Sequence, residues 1–139
     1  RDAGQQQPSH LDGIPKNLPA LMRAQRMQAR AARQGFDWRE ISGALDKVEE
    51  EFAELRREHE AGSEDTVEDE FGDLLFSLVN VARFLHVDSE QALQRAVAKF
   101  ERRFRSVELA LQKRERSMQD STLDELDALW DEAKQREET

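Results

Sequence analysis

All three prolines of the chain, Pro8, Pro15 and Pro19, fall within its first nineteen residues, and nothing after them is proline. Proline inside a helix removes a hydrogen bond and clashes with the preceding turn, at a cost of about 3 kcal/mol. The long proline-free remainder, rich in Ala, Leu, Gln, Glu and Arg, is thus free to be helical from end to end. Its apolar residues recur at spacings of three and four, and no segment alternates with the period of two that a strand needs. The expected fold class is all-α: a four-helix-bundle-like arrangement with an extra short helix at the C-terminal end. Residues 1–19 carry a Gln run and too little apolar surface to order themselves, and are expected to form a flexible linker or arm. Residues 20–139 make one domain's worth of chain.

The element boundaries follow from local signals. A first helix is expected from Ala20 to Gln34, stopped by Gly35. Asp37 and Glu40 form a capping-box variant for a second, along which Ile41, Leu45, Val48, Phe52 and Leu55 repeat at helical spacing up to a stop near Gly62. A third is expected from Asp65 to Leu85, and a fourth from Asp88 or Ser89. In the fourth, Leu93, Val97, Phe100, Phe104, Val107 and Leu111 make a heptad-like seam. Thr122 and Glu125 form a second capping box, opening a short last helix through Trp130.

Composition narrows the partners. With a formal charge of −9, most of the surface repels a phosphodiester backbone, so nucleic acid is not an expected partner. The absence of cysteine rules out a disulfide scaffold, a zinc ribbon, an iron–sulfur cluster and a thiol nucleophile together. No apolar run approaches the ~20 residues that span a bilayer, so no membrane is expected and the compartment expected is the cytosol.

Two acidic clusters stand out, "EEEFAE" at Glu49–Glu54 and "EDEFGD" at Glu68–Asp73. Glu51 and Glu54 lie one helical turn apart on the flank of the second helix beside Lys47, close enough for both carboxylates to reach one cation. Alone, such a flank is usually a solvated face. In the third helix Phe71, Leu74, Leu75, Leu78, Ala82 and Leu85 share one face, while Phe76, Val79 and Phe84 are apolar on the others. A helix apolar nearly all round is expected to be buried. Yet Glu70, Asp73, Ser77 and Asn80 form a narrow polar stripe along it, and buried carboxylates need a partner. If the two helices pack antiparallel about Gly62, Glu51 and Glu54 face Glu70 and Asp73. Such a set suits a hard cation, Mg²⁺ or Mn²⁺, because only oxygen donors are offered. Salt bridges to Lys47, Lys99 and the arginines are the competing reading, and the spacing leaves both open.

Lys99, Arg102 and Arg103, at i, i+3 and i+4 beside the seam, could hold phosphate or could be an ordinary solvated flank. Trp38 is expected to pack, whereas Trp130 could pack or stack on a base. None of His10, His59 and His86 looks catalytic, and no glycine-rich phosphate loop is present.

The pattern Glu50-Glu51-x-x-Glu54 followed by Glu70-x-x-Asp73 resembles the EExxE…ExxD signature of the MazG-type nucleoside triphosphate pyrophosphohydrolases. "RAARQGFDW" (Arg30 to Trp38), "GDLLFSLVNVAR" (Gly72 to Arg83) and "KFERRF" (Lys99 to Phe104) resemble other stretches of that family in the right order. The resemblance implies the MazG fold, completed by homodimerisation or higher assembly, and the reaction of an NTP with water to give NMP and pyrophosphate. It further implies Mg²⁺ held by Glu51, Glu54, Glu70 and Asp73, and nucleotide contacts at Lys47, Lys99, Arg102, Arg103 and Trp130. Asn80, in the same polar stripe, is a further candidate substrate contact, and Glu50, beside the ligands, a candidate general base. "LDGIPKNLPAL" (Leu11 to Leu21) resembles the segment that leads into the second of two tandem domains in longer members, so the chain is expected to be a C-terminal domain. The alternative function is a catalytically weak helical dimerisation domain of such a tandem protein. An acidic coiled-coil module is a third reading, but it does not account for acids inside an apolar helix.

Overall fold

The computed structural model describes residues 7–138 of the chain. Among these residues there are five helices and no strand: α1 (Ala20–Arg33), α2 (Ile41–Ala61), α3 (Glu64–Phe84), α4 (Ser89–Lys113) and α5 (Leu123–Glu138). The chain divides into two units, one ending at Ala92 and one starting at Leu93. The all-α expectation therefore holds, and the helix count matches.

In the first unit, α2 and α3 form an antiparallel hairpin and α1 packs on α3. The hairpin turn is made by Gly62, which takes the left-handed conformation at φ 78° and donates its N–H to the carbonyls of Glu58 and His59. Only glycine enters that region without a Cβ penalty. Gly35 stops α1 in the same way, at φ 90°. Before α1, a turn at Ser9 to Asp12 is tied to the helix by the Arg30 guanidinium, which donates to the carbonyls of His10 and Asp12. From the other end of α1, Gln25 donates to the Val87 carbonyl and accepts from both the N–H and the hydroxyl of Ser89. Asp88 caps α4 by accepting from the Gln91 N–H at 3.0 Å.

Three expectations are corrected. The second helix begins at Ile41, with Glu40 extended and making no side-chain cap. Asp37 is occupied instead by Arg83 of α3, which grips both carboxylate oxygens, at 2.6 and 3.0 Å. A bidentate charge-assisted pair is worth more than one neutral capping bond, so the side chain goes to Arg83. Secondly, α3 is not enclosed. Ser77 and Val79 are buried, but Phe71, Leu75, Phe76 and Leu78 are each between 42% and 50% exposed, because α1 and α2 cover only part of its circumference. Thirdly, the last helix continues past Trp130 to Glu138. Its opening is as expected, with Thr122 Oγ1 accepting from the Glu125 N–H at 3.1 Å.

The second unit has its own core of Val107, Leu111 and Leu129, with Met118, Leu126 and Trp130 packed around it. The heptad-like seam is thus only half used: Val107 and Leu111 are buried, whereas Leu93, Val97 and Phe100 are more than half exposed.

The Asp37–Arg83 pair fixes the α1–α2 connection to α3, and Arg83 holds the Asp37 carboxyl below its usual range. An acid held below its unfolded pKa gives stability above that value and loses it as pH falls through the folded one. Replacing Arg83 with Gln is therefore expected to cost about 1 kcal/mol at about pH 7, the gap narrowing as pH falls through the lowered pKa of Asp37; urea melts of both proteins over a falling pH series check it.

Candidate metal centre

The hairpin decides which acids meet. Glu51 projects from α2, Glu70 and Asp73 from α3, and one carboxylate oxygen of each lies within 4.8 Å of the other two. Glu51 is only 8% exposed. Its charge is met by Lys47, one turn earlier, whose Nζ is 3.0 Å away. Lys47 also reaches Glu50 at 3.3 Å. The two carboxylates hold the ammonium pKa above its usual value, Glu51 more strongly than Glu50.

Glu70 records the crowding on the other side. Its carboxyl is pushed above the ordinary range, first by loss of water, then by a hydrogen bond with Glu51 and the negative charges of Glu51, Asp73 and Glu54. Glu54 contributes that charge without joining the three oxygens: its carboxylate turns to Arg57 on the next turn. Glu50 is exposed and its contact is Lys47.

The donor set is three carboxylates from two facing helices, oxygen throughout, with one member more easily protonated than its type. A divalent hard cation at this position would offset the repulsion among the three acids, and no softer ligand is present to favour another class of metal. The site residues thus fit such an ion.

Ser77 and Asn80 continue the stripe along α3, and each is hydrogen-bonded within that helix. Ser77 donates to the Leu74 carbonyl of its own helix at 2.7 Å. Asn80 Oδ1 accepts from Arg83 at 2.9 Å. In the second unit Arg103 lies 5.6 Å from the Trp130 ring centroid and 3.0 Å from Glu137, which Arg102 also approaches at 3.5 Å. Glu137 holds a lowered pKa there, although partial desolvation opposes it. Lys99 is exposed on the same helix.

Two polar side chains escaped sequence reasoning. Arg83 reads as an ordinary last-turn cation, and nothing local pairs it with Asp37, 46 residues away. Gln28 is buried at 6% exposure and donates to the Phe76 carbonyl. Its signal was available: Leu21, Ala24 and Ala31 repeat at helical spacing with Gln28 in the middle of their stripe.

Residues 39–107 match the family of the MazG nucleotide pyrophosphohydrolase domain, and both helices of the acidic cluster lie inside that span. The chain is 40% identical over 139 residues to the nucleoside triphosphate pyrophosphohydrolase/pyrophosphatase MazG of Thermotoga maritima, covering all of this chain and 53% of that protein. It is 46% identical over 133 residues to the nucleoside triphosphate pyrophosphohydrolase of Escherichia coli (strain K12), covering 94% of this chain and 51% of the relative. Over 130 residues it is 44% identical to the uncharacterized protein YabN of Bacillus subtilis (strain 168), covering 93% of this chain and 27% of that one. The chain spans about half the length of the first two relatives. With its helices, its acidic hairpin and these matches in agreement, the chain belongs to the MazG family.

Proposed function

We propose that this chain hydrolyses nucleoside triphosphates to nucleoside monophosphate and pyrophosphate, in nucleotide-pool control or housecleaning in the cytosol. The observation that carries the reading is the meeting of Glu51, Glu70 and Asp73 across the α2–α3 hairpin, within a chain similar to proteins named for that activity. Glu51, Glu70 and Asp73, with Glu54 once it leaves Arg57, are the proposed ligands of Mg²⁺, for which Mn²⁺ is a plausible substitute. When bound, the cation neutralises phosphate oxygens and acidifies water.

The chain's own residues do the rest. Lys47, held beside Glu51, is placed to pair with a phosphate oxygen. Lys99, Arg102, Arg103 and Trp130 of the second unit, and Asn80 of α3, are the further proposed nucleotide contacts; Arg102 and Arg103 would exchange Glu137 for phosphate. The oxygen of water adds to the α-phosphorus, the bond to the α–β bridging oxygen breaks, and pyrophosphate leaves with that electron pair. Glu50, exposed at the edge of the cluster, is the proposed acceptor of the water proton. No covalent intermediate is required.

Incubation of the chain with common NTPs and Mg²⁺ is expected to yield NMP and pyrophosphate, separable by anion exchange; NDP with orthophosphate would refute the bond assignment. Glu51→Gln and Asp73→Asn are each expected to lower kcat by about a hundredfold or more. Glu50→Gln with undiminished turnover would remove Glu50 from the mechanism. No turnover in the wild type would favour the dimerisation-domain reading.

Glu70 supplies a second test. A folded-state pKa above the unfolded one gives stability that is present below the unfolded value and lost as pH rises through the folded value. The metal-free chain is therefore expected to gain more from Mg²⁺ near neutrality than in mild acid, seen as a larger rise in Tm. Metal-free Asp73→Asn, with one like charge fewer, is expected to melt no lower than the wild type, and to show no rise with Mg²⁺.

The half-exposed Leu75 and Leu78 on α3, with Leu45 and Phe52 on α2, support a homodimer or higher assembly that covers them. Sedimentation is expected to give an assembly that Leu78→Lys reduces to single chains; a monomeric wild type at micromolar concentration would oppose it.

A further inference from the structure

The first helix carries charge of one sign. α1 holds Arg23, Arg26, Arg30 and Arg33 and no acid among its 14 residues, although the chain as a whole stands at −9. At about 100° per residue these four arginines share one face. Gln28, bonded to the Phe76 carbonyl of α3, projects from the opposite one. The basic face is therefore turned away from α3, the helix that bears Glu70 and Asp73.

Residues 13–15 lie against this face, and with Arg26, Arg30 and Arg33 they line a cavity of about 300 Å³. Among the described residues no acid lines it. Asp12, the nearest in sequence, turns its carboxylate to the Ser9 N–H at 2.9 Å. Arg30 is fixed in place by Nη1, which donates to the carbonyls of His10 and Asp12 at 3.0 and 2.9 Å, so that its Nε and Nη2 hydrogens remain uncommitted. Arg26 and Arg33 make no ion pair or side-chain hydrogen bond among the described residues. Attraction to the carbonyl end of a helix accounts for Arg30 and Arg33, in the last turn. It does not account for Arg26, nor for Arg23 in the opening turn, where the helix dipole disfavours a cation. Spacings of three and four also set each arginine beside the next, like charge against like.

Size and donor geometry narrow the anion that would relieve this. One carboxylate offers two oxygens and a single charge, which one guanidinium satisfies in a bidentate pair. Three guanidiniums around one space suit an ion with several oxygens and more than one charge, and arginine matches phosphate oxygens in pairs. A cavity of about 300 Å³ lies at the small end of ligand sites. It is too small for a helix about 10 Å across but takes two linked phosphate tetrahedra.

We propose that the cavity between residues 13–15 and α1 binds a small inorganic polyphosphate, of which pyrophosphate is the simplest, through Arg26, Arg30 and Arg33. This site is distinct from the acidic centre and needs no metal, because the protein supplies the countercharge. The bound anion fastens the segment that leads into α1 onto the helix. The inference does not rest on the hydrolase reading.

The test uses the metal-free chain, whose acidic hairpin repels phosphate, in 0.15 M KCl, a salt level that screens weak surface attraction. Pyrophosphate titrated by calorimetry is expected to saturate at one ion per chain. In the ¹⁵N-labelled chain the Nε–H resonances of Arg26 and Arg33, each assigned by its Gln variant, are expected to shift with the same saturation. Arg26→Gln and Arg33→Gln should each weaken binding about tenfold, as loss of one charge-assisted contact does; glutamine is a good helix former, so both variants keep α1. Arg102→Gln should leave the affinity unchanged. Absence of saturation would overturn the proposal, as would dependence on Arg102 in place of Arg26 and Arg33. Tighter, Arg26-dependent binding of a polyglutamate peptide would also overturn it and mark the face as a dock for an acidic protein segment.

Discussion

Like charges brought together in a half-dry hairpin set the terms for the first unit. Glu51, Glu70 and Asp73 repel one another wherever they are ionised, and their apposition is enforced by packing between α2 and α3 and by a turn at Gly62 that only glycine makes without strain. The folded chain answers this repulsion in two ways: Lys47 lies against Glu51, and Glu70 binds its proton more tightly. Neither removes the acids from one another's reach. An arrangement that carries this cost without an apolar gain at the same place is what a binding site looks like before its ligand arrives.

Around that centre the polar side chains serve as brackets between elements distant in sequence. Arg83 reaches from α3 to Asp37 in the α1–α2 connection and to Asn80 on its own helix, and its guanidinium lies over the Phe84 ring. Gln28 reaches from α1 to the backbone of α3. These bonds tie α1 and the connection after it to the helix that bears Glu70 and Asp73. Apolar packing alone would not achieve this, because the fully buried core of the unit is small, chiefly Ala44 and Val79.

The sequence made the helices legible because proline, glycine and capping residues act locally. Gly35, Gly62 and Thr122 each mark an end that their own neighbours dictate. The acidic cluster could be anticipated because a two-residue connection leaves one way to fold α2 onto α3. What stayed hidden depends on partners far along the chain. Asp37 has the spacing of a cap and becomes one end of an ion pair instead. The apolar circumference of α3 reads as burial, while exposure depends on how many neighbours a single chain can supply. Gln28 and Gln25, ordinary in a Gln-rich helix, acquire meaning only from the carbonyls and hydroxyl placed opposite them.

By bonding Val87 and Ser89 together, Gln25 makes the opening turn of α4 a part of the α1 surface, so the boundary between the two units falls inside a continuous helix and not in the turn before it. A recombination point placed in that turn would strand the Gln25 amide and cut the start of α4 from its anchor. One placed after Ala92 would leave every one of these bonds in the first fragment, so natural or engineered shuffling of the second unit should be tolerated best when the donor segment is itself helical from its first residue.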